Sequence, residues 1–206
     1  MIEIFKDIQQ GTPDWFAIRA GIPTASRFGD VMAKGRGGAE SATRAKYLRQ
    51  LAGEIITGMP TEEFSTPALE RGKTMEEEAR EHYAFVQNAE PELVGFVRNG
   101  QKGCSPDALI GDSGALEIKT KRADILIEVL LRDEFPPEHK AQCQGVLWVA
   151  EREFIDICCY WPRMPVFIKR ATRDNGYIAN LAGEVDRFND ELAAIVERLR
   201  SYGVAA

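Results

Sequence analysis

The chain is poor in the features that would tie it to a membrane, a disulfide framework or a zinc site. None of its apolar runs approaches the roughly 20 residues needed to span a bilayer. The opening residues Met1-Ile2-Glu3-Ile4-Phe5-Lys6 lack the basic, apolar and small-residue layout of a signal peptide. The expectation is a soluble, cytoplasmic protein with no membrane partner. Four cysteines are present, Cys104, Cys143, Cys158 and Cys159, with no CxxC pair and no histidine cluster beside them. Cys158 and Cys159, as strand neighbours, would point to opposite faces. They read as small buried hydrophobes in a reducing compartment rather than as ligands or bridges.

Positive charge is also scarce. The formal net charge is −6 and the isoelectric point about 5.2. Phosphate contacts dominate nucleic-acid affinity, so this balance argues against a uniformly basic DNA binder. It leaves room for a local basic groove combined with bound cations, because a carboxylate cluster that holds cations itself lowers the formal charge. Internal repeats, low-complexity tracts and linkers are lacking too. The expectation is one domain over residues 1–206, with a helical N-terminal part at 1–90, a core at 91–170 and a C-terminal helix at 176–202.

What is there is a clear alternation of elements. Thr12-Pro13 opens a short helix, with Thr12 as N-cap and Pro13 at its first position. A second helix is expected over 24–33, followed by the glycine-rich stretch Lys34–Gly38. Residues 41–57 predict a helix stopped by Gly58. Thr66-Pro67 begins a longer one to about Gln87, with the acidic turn Glu76-Glu77-Glu78. Strands are predicted at 92–98, 107–111 and 115–119, then helices at 122–132 and from Pro136 to about Ala150, then strands at 154–161 and 166–170. In the last helix Ile178, Leu181, Val185, Phe188, Leu192, Ile195 and Leu199 recur every three or four residues. The order implies an α/β or α+β fold with one central mixed sheet flanked by helices.

Chemistry concentrates in Ser105-Pro106-Asp107, followed after nine residues by Glu117-Ile118-Lys119. Residues i and i+2 of a strand share a face, so Glu117 and Lys119 point together towards Asp107, while Ile118 turns into the apolar layer. Two carboxylates and an ammonium then converge. Hard divalent cations such as Mg²⁺ prefer such oxygen ligands and bind through one or two carboxylates plus substrate phosphate. This is the D…ExK arrangement of restriction-like nucleases, in which the cation activates water and the lysine stabilises developing charge. Alone it is a loose pattern that an ordinary hairpin with a solvated Glu/Lys pair would also satisfy. Periodicity does not choose among Glu76, Glu77 and Glu78 as a further acidic ligand. Gln142 and Gln144 lie on a largely buried helix, and a glutamine there can bond a phosphate or a metal-bound water.

Several motifs in order resemble the lambda exonuclease, or YqaJ-type viral recombinase, family of the restriction-endonuclease-like PD-(D/E)xK superfamily. They are Gly11-Thr12-Pro13-Asp14-Trp15 with Arg19, Gly21–Ser26, Gly72–Glu76 with Ala79-Arg80, Cys104–Asp107, Leu116–Lys119, Ala141–Gln144 with Trp148, and Tyr160–Met164. The resemblance implies a restriction-endonuclease-like core and a 5′→3′ exonuclease on double-stranded DNA ends, working in phage-type recombination and leaving 3′ single strands for an annealing protein. It implies Mg²⁺ or Mn²⁺, two ions per site, held by Asp107, Glu117, the Ile118 carbonyl and Glu76, with Lys119 catalytic. Arg19, Ser26, Ser105 and Gln142 match a 5′-phosphate pocket, and Arg36 and Leu69 match DNA-end contacts. A ring-shaped homotrimer is also implied. Two rival readings are a restriction-like or Cas4-like endonuclease and a non-catalytic DNA-end-binding protein on the same fold. The cysteine spacing speaks against a Cas4-like iron–sulfur cluster.

Overall fold

The computed structural model describes residues 1–35, 37, 39–61 and 67–202, with the side chains of residues 67–70 and 73 outside the description. In chain order the elements are β1 (Ile2–Phe5), α1 (Pro13–Arg19), a 3-10 turn (Ala25–Arg27), α2 (Phe28–Val31), α3 (Ala42–Thr57) and α4 (Pro67–Gln87). Then come β2 (Pro91–Glu92), β3 (Phe96–Asn99), β4 (Gly103–Cys104), β5 (Ala108–Ile110), β6 (Gly114–Thr120) and α5 (Ala123–Arg132). A 3-10 turn (Pro137–His139) leads into α6 (Lys140–Val149), followed by β7 (Phe154–Tyr160), β8 (Phe167–Thr172) and α7 (Asn175–Arg200). No helix among the described residues is long and apolar enough to cross a membrane.

The central sheet is mixed and five-stranded, in the order β2-β5-β6-β7-β8, with only β6 and β7 parallel. A second, antiparallel sheet joins β1, β3 and β4. The expected central mixed sheet is present, a small second sheet accompanies it, and the strand expected over 92–98 is divided between the two. The break falls at Gly95. A side chain there would meet the Ile8 carbonyl at 1.9 Å, and the Gly95 N–H donates to Phe5 O at 2.9 Å. Only a residue without Cβ lets the N-terminal segment pass this close, and the chain leaves one sheet for the other at that point. The helix expected over 24–33 is likewise divided, into a 3-10 turn and the one-turn α2.

Alternation along β6 sets the two faces of the central sheet. Leu116 and Ile118 pack with Ala79, Tyr83 and Met75 of α4. Ile157 and Cys159 of β7 face the other way, against Leu126 of α5. All four cysteines are free and buried. The largest core lies between α2, α3, α6 and α7, where Phe28, Leu51, Leu147, Leu181, Val185 and Phe188 meet. Burying each such side chain stabilises by roughly 1.5–3 kcal/mol. Gly145 allows α6 to approach the 3-10 turn at Ala25–Arg27, since a Cβ there would fall 2.5 Å from the Phe28 ring. That close approach brings the segment carrying Ser26 onto the helix that carries Gln142.

Candidate active site

Asp107 sits just before β5, and Glu117 and Lys119 sit on β6. The pairing of Ala108 with Leu116 sets Asp107 beside Glu117, and the Asp107 N–H donates to Leu116 O at 3.1 Å. Asp107 Oδ2 accepts from the Ile118 N–H. Lys119 Nζ donates to Glu117 Oε1 at 2.6 Å, and Gln142 Nε2 of α6 donates to the same oxygen at 2.5 Å. Glu117 is only 2% exposed. Its other oxygen, Oε2, is buried and has no hydrogen-bond partner among the described residues.

This crowding of carboxylates in a dry place has electrostatic consequences. Burial, the Glu117 carboxylate and the Glu76 carboxylate push Asp107 well above the usual carboxylate range, against the opposing pull of Lys119 and the Ile118 N–H. Burial acts to lower Lys119, but Glu117 and Asp107 outweigh it and hold the ammonium up at about 12. Burial and then Glu117 push the Cys143 thiol up, so Cys143 is an uncharged wall of the site and no nucleophile.

Glu76 comes from α4, and of the three consecutive glutamates it is the one whose charge bears on Asp107. Its carboxylate accepts from Arg80 Nη2 at 2.9 Å, one helical turn away. Glu77 is solvent-exposed, and Glu78 bonds the Tyr160 hydroxyl. Among the described residues no group of three or more His, Cys, Asp or Glu side chains stands close enough to hold one ion. The acidic centre is therefore the Asp107–Glu117 pair. The two glutamines of α6 separate cleanly. Gln142 faces Glu117, whereas the buried Gln144 donates to Thr172 O at 2.9 Å and accepts from the Asp174 N–H at 2.8 Å, tying α6 to the start of α7.

Arg19 and Ser105, 86 residues apart, are joined by Trp15, to which no motif assigns a role. The Arg19 guanidinium lies 3.7 Å from the centroid of Trp15. Trp15 Nε1 donates to Ser105 Oγ at 3.0 Å and to Gly95 O at 2.9 Å. Gln10 Nε2 donates to Pro106 O at 3.0 Å, so two N-terminal side chains clasp the segment that delivers Asp107. The one signal for this in the sequence is the indole itself, one turn before Arg19 on α1. Ser26 shares a hydrogen bond of 3.3 Å with Thr24 Oγ1. Arg36 lies outside the described residues, as does the side chain of Leu69, whose backbone belongs to α4.

Comparison with known proteins finds exonucleases of the same fold. The structure matches the crystal structure of an alkaline exonuclease, LHK-Exo, from Laribacter hongkongensis, with a TM-score of 0.83 and 33% identity over 92% of this chain and 96% of that one. The same enzyme in complex with dAMP gives a TM-score of 0.83 at 34% identity, with the same coverage. A phage-related exonuclease from Haemophilus somnus 129PT shares the fold, with a TM-score of 0.62 at 12% identity over 86% of this chain and 96% of that one. No curated protein sequence matches the chain. The model of the YqaJ-like viral recombinase domain matches residues 14–153, more than half of the sequence and all of the segment from Trp15 to Gln142, and the chain belongs to that family.

Proposed function

We propose that this protein is a metal-dependent exonuclease that degrades double-stranded DNA from its ends, 5′→3′, and leaves 3′ single strands. One observation carries the reading: the buried Glu117 and the half-buried Asp107 share a site with a lysine, and one Glu117 oxygen has no partner among the described residues. A buried carboxylate oxygen without a donor is costly, and like charges this close raise one another's proton affinity. The donor set fits a hard divalent ion such as Mg²⁺ or Mn²⁺, which commonly takes one or two carboxylates and fills its other positions with water and substrate phosphate. Asp107, Glu117 and the Ile118 carbonyl would hold it, with Glu76 on the Asp107 side for a second ion. Such an ion, when bound, polarises the scissile phosphate and lowers the pKa of a coordinated water.

The chain's own residues do the rest. Lys119, fully protonated at neutral pH, offers its ammonium to the charge that develops on the phosphate. Gln142 keeps Glu117 oriented through a direct hydrogen bond. Arg19, Ser26, Ser105 and Gln142 form the receptor for a terminal 5′-phosphate, and Trp15 sets the Arg19 plane against Ser105. A guanidinium fork favours a terminal monoester phosphate over a backbone diester, and the 5′→3′ direction itself rests on the family. The ring-shaped homotrimer and the annealing partner belong to the same reading and rest on the family.

The test gives purified protein end-labelled linear duplex and covalently closed circular duplex, each with Mg²⁺ and with a chelator. Loss of terminal nucleotides from linear DNA alone, only with metal, is the expected result. Cleavage of the circle would make it an endonuclease, and binding without cleavage would make it an end-binding protein.

A further inference from the structure

The face of β6 that carries Glu117 and Lys119 does not end with the strand. The Lys121 N–H still donates to Tyr160 O at 3.0 Å, so the alternation of the ladder continues and Lys121 joins Glu117 and Lys119 on one side. Lys121 Nζ donates to Glu138 Oε1 at 2.9 Å and lies 3.1 Å from His139 Nε2. The Lys121 side chain is 13% exposed and that of Glu138 is 55% exposed, so the carboxylate covers the ammonium from the solvent side. His139 stands at the N-terminal end of the ten-residue α6 without a side-chain cap bond, and the positive end of that helix faces the same place. Burial, Lys119 and Lys121 together lower His139 to about 4, so its neutral ring accepts a hydrogen bond from Lys121. Two lysines two residues apart on a strand are spaced by about 6.6 Å, the same order as the step between neighbouring phosphates of a nucleic-acid strand.

We propose that Lys121, steadied by His139 and covered by Glu138, binds the backbone phosphodiester next to the scissile one, so that the DNA strand runs across the face of the sheet that carries Lys119 and Lys121 at the end of β6. The inference rests on the nuclease reading above. Glu138 occupies the position from which a phosphate oxygen would approach, and binding DNA exchanges one anion for the other. His139 is a positioning residue: it keeps the flexible lysine stem on the β6 side when Glu138 leaves.

The experiment measures binding of a fluorescently labelled duplex across a salt series, with Ca²⁺ in place of Mg²⁺, for wild type, Lys121→Met, Lys121→Arg and Glu138→Gln. One lost phosphate contact should reduce the slope of log affinity against log salt by about 0.7–0.9 in Lys121→Met. Binding should weaken roughly tenfold at low salt, and the rise in KM should exceed any fall in kcat. Lys121→Arg should keep the wild-type slope, and Glu138→Gln should bind DNA several-fold more tightly. A wild-type slope and affinity in Lys121→Met overturns the proposal. If that variant fails to fold, unchanged affinity in Glu138→Gln overturns it instead. Either result, with wild-type protein still cleaving linear DNA, leaves the nuclease reading standing, whereas a wild type that cleaves no DNA defeats the nuclease reading itself.

Discussion

Two buried carboxylates on adjacent strands of the central sheet have opposite fates. Asp156 of β7 is 1% exposed and Glu117 of β6 is 2% exposed. Asp156 pairs with Leu116, one residue out of step with Glu117, so the two side chains lie on opposite faces. Asp156 is saturated: Tyr83 Oη, Arg170 Nε and Arg170 Nη2 each donate to it at 2.8 Å. Burial first, and then that carboxylate, push the Tyr83 hydroxyl far up. Glu117 instead shares one oxygen between Lys119 and Gln142, leaves the other unpartnered among the described residues, and sits beside a second carboxylate. A carboxylate that serves the fold has its donors in the protein. One that serves chemistry leaves part of its coordination for something else.

The sharpest way to break that comparison is to remove each carboxylate. Asp107→Ala and Glu117→Ala should each reduce cleavage by more than about 10³-fold and remain folded. Asp156→Ala should instead lose about 2 kcal/mol of stability, because it leaves the buried Tyr83 hydroxyl without its acceptor. Cleavage rates and denaturant unfolding of the three variants decide it. Near-wild-type cleavage in either of the first two would remove the carboxylate pair from the mechanism.

The partner cations should differ in the same way. Lys119→Ala is expected to lose about 10²–10³-fold in kcat while binding DNA nearly as well as wild type, since a group that acts on developing charge contributes little to ground-state affinity. Weak binding with normal turnover at saturation would make Lys119 a phosphate clamp.

Arg19→Ala should abolish most of the expected preference for a 5′-phosphorylated over a 5′-hydroxyl end, roughly a 10- to 100-fold difference for one charge-assisted contact. Arg19→Lys should recover only part of it. Comparing rates on the two substrates is sufficient, and a wild type without preference would undo both the pocket and the 5′→3′ polarity.

Asp107→Asn should raise Tm by ~2–4 °C, because it removes a like charge beside the buried Glu117 while keeping an acceptor for the Ile118 N–H. Thermal melts in a chelator test this; a lower Tm would mean that Asp107 is as structural as Asp156. The smallest expected effect concerns His139. Its ring is held at about 4 in the folded state against an ordinary 6.5. Between those values the unfolded chain binds more protons than the folded one, so stability should fall as pH drops from about 6.5 towards 4. His139→Gln should flatten that part of the stability–pH curve, and an unchanged curve would show that other groups govern it.

Much of the candidate active site is legible in the amino-acid sequence because it is local. Asp107, Glu117 and Lys119 lie on two strands joined by a tight turn, and strand alternation alone puts Glu117 and Lys119 on one side. The helices α3 and α7 are equally plain from their apolar spacing. The N-terminal clasp is not legible: nothing near Trp15 or Gln10 in sequence shows that their polar atoms reach Ser105 and Pro106. Nor is Asp156 marked as different from any other strand aspartate, since its partners are 73 residues behind it and 14 ahead. The short strands β1 and β4 have too few residues to set a period.

The sequence by itself determined the periodicities, the i and i+2 placement of Glu117 and Lys119, and the motifs that connect the chain to its family. These depend on backbone geometry within one or two elements. The family motifs already name Glu76 and Gln142, but only the tertiary structure decided that the Glu76 charge bears on Asp107, that Gln142 bonds Glu117 while Gln144 ties α6 to α7, and that Lys121 has His139 and Glu138 for company. Those choices depend on which face of one element meets another, and that is fixed by close packing at places such as Gly95 and Gly145, where a single Cβ would forbid the approach.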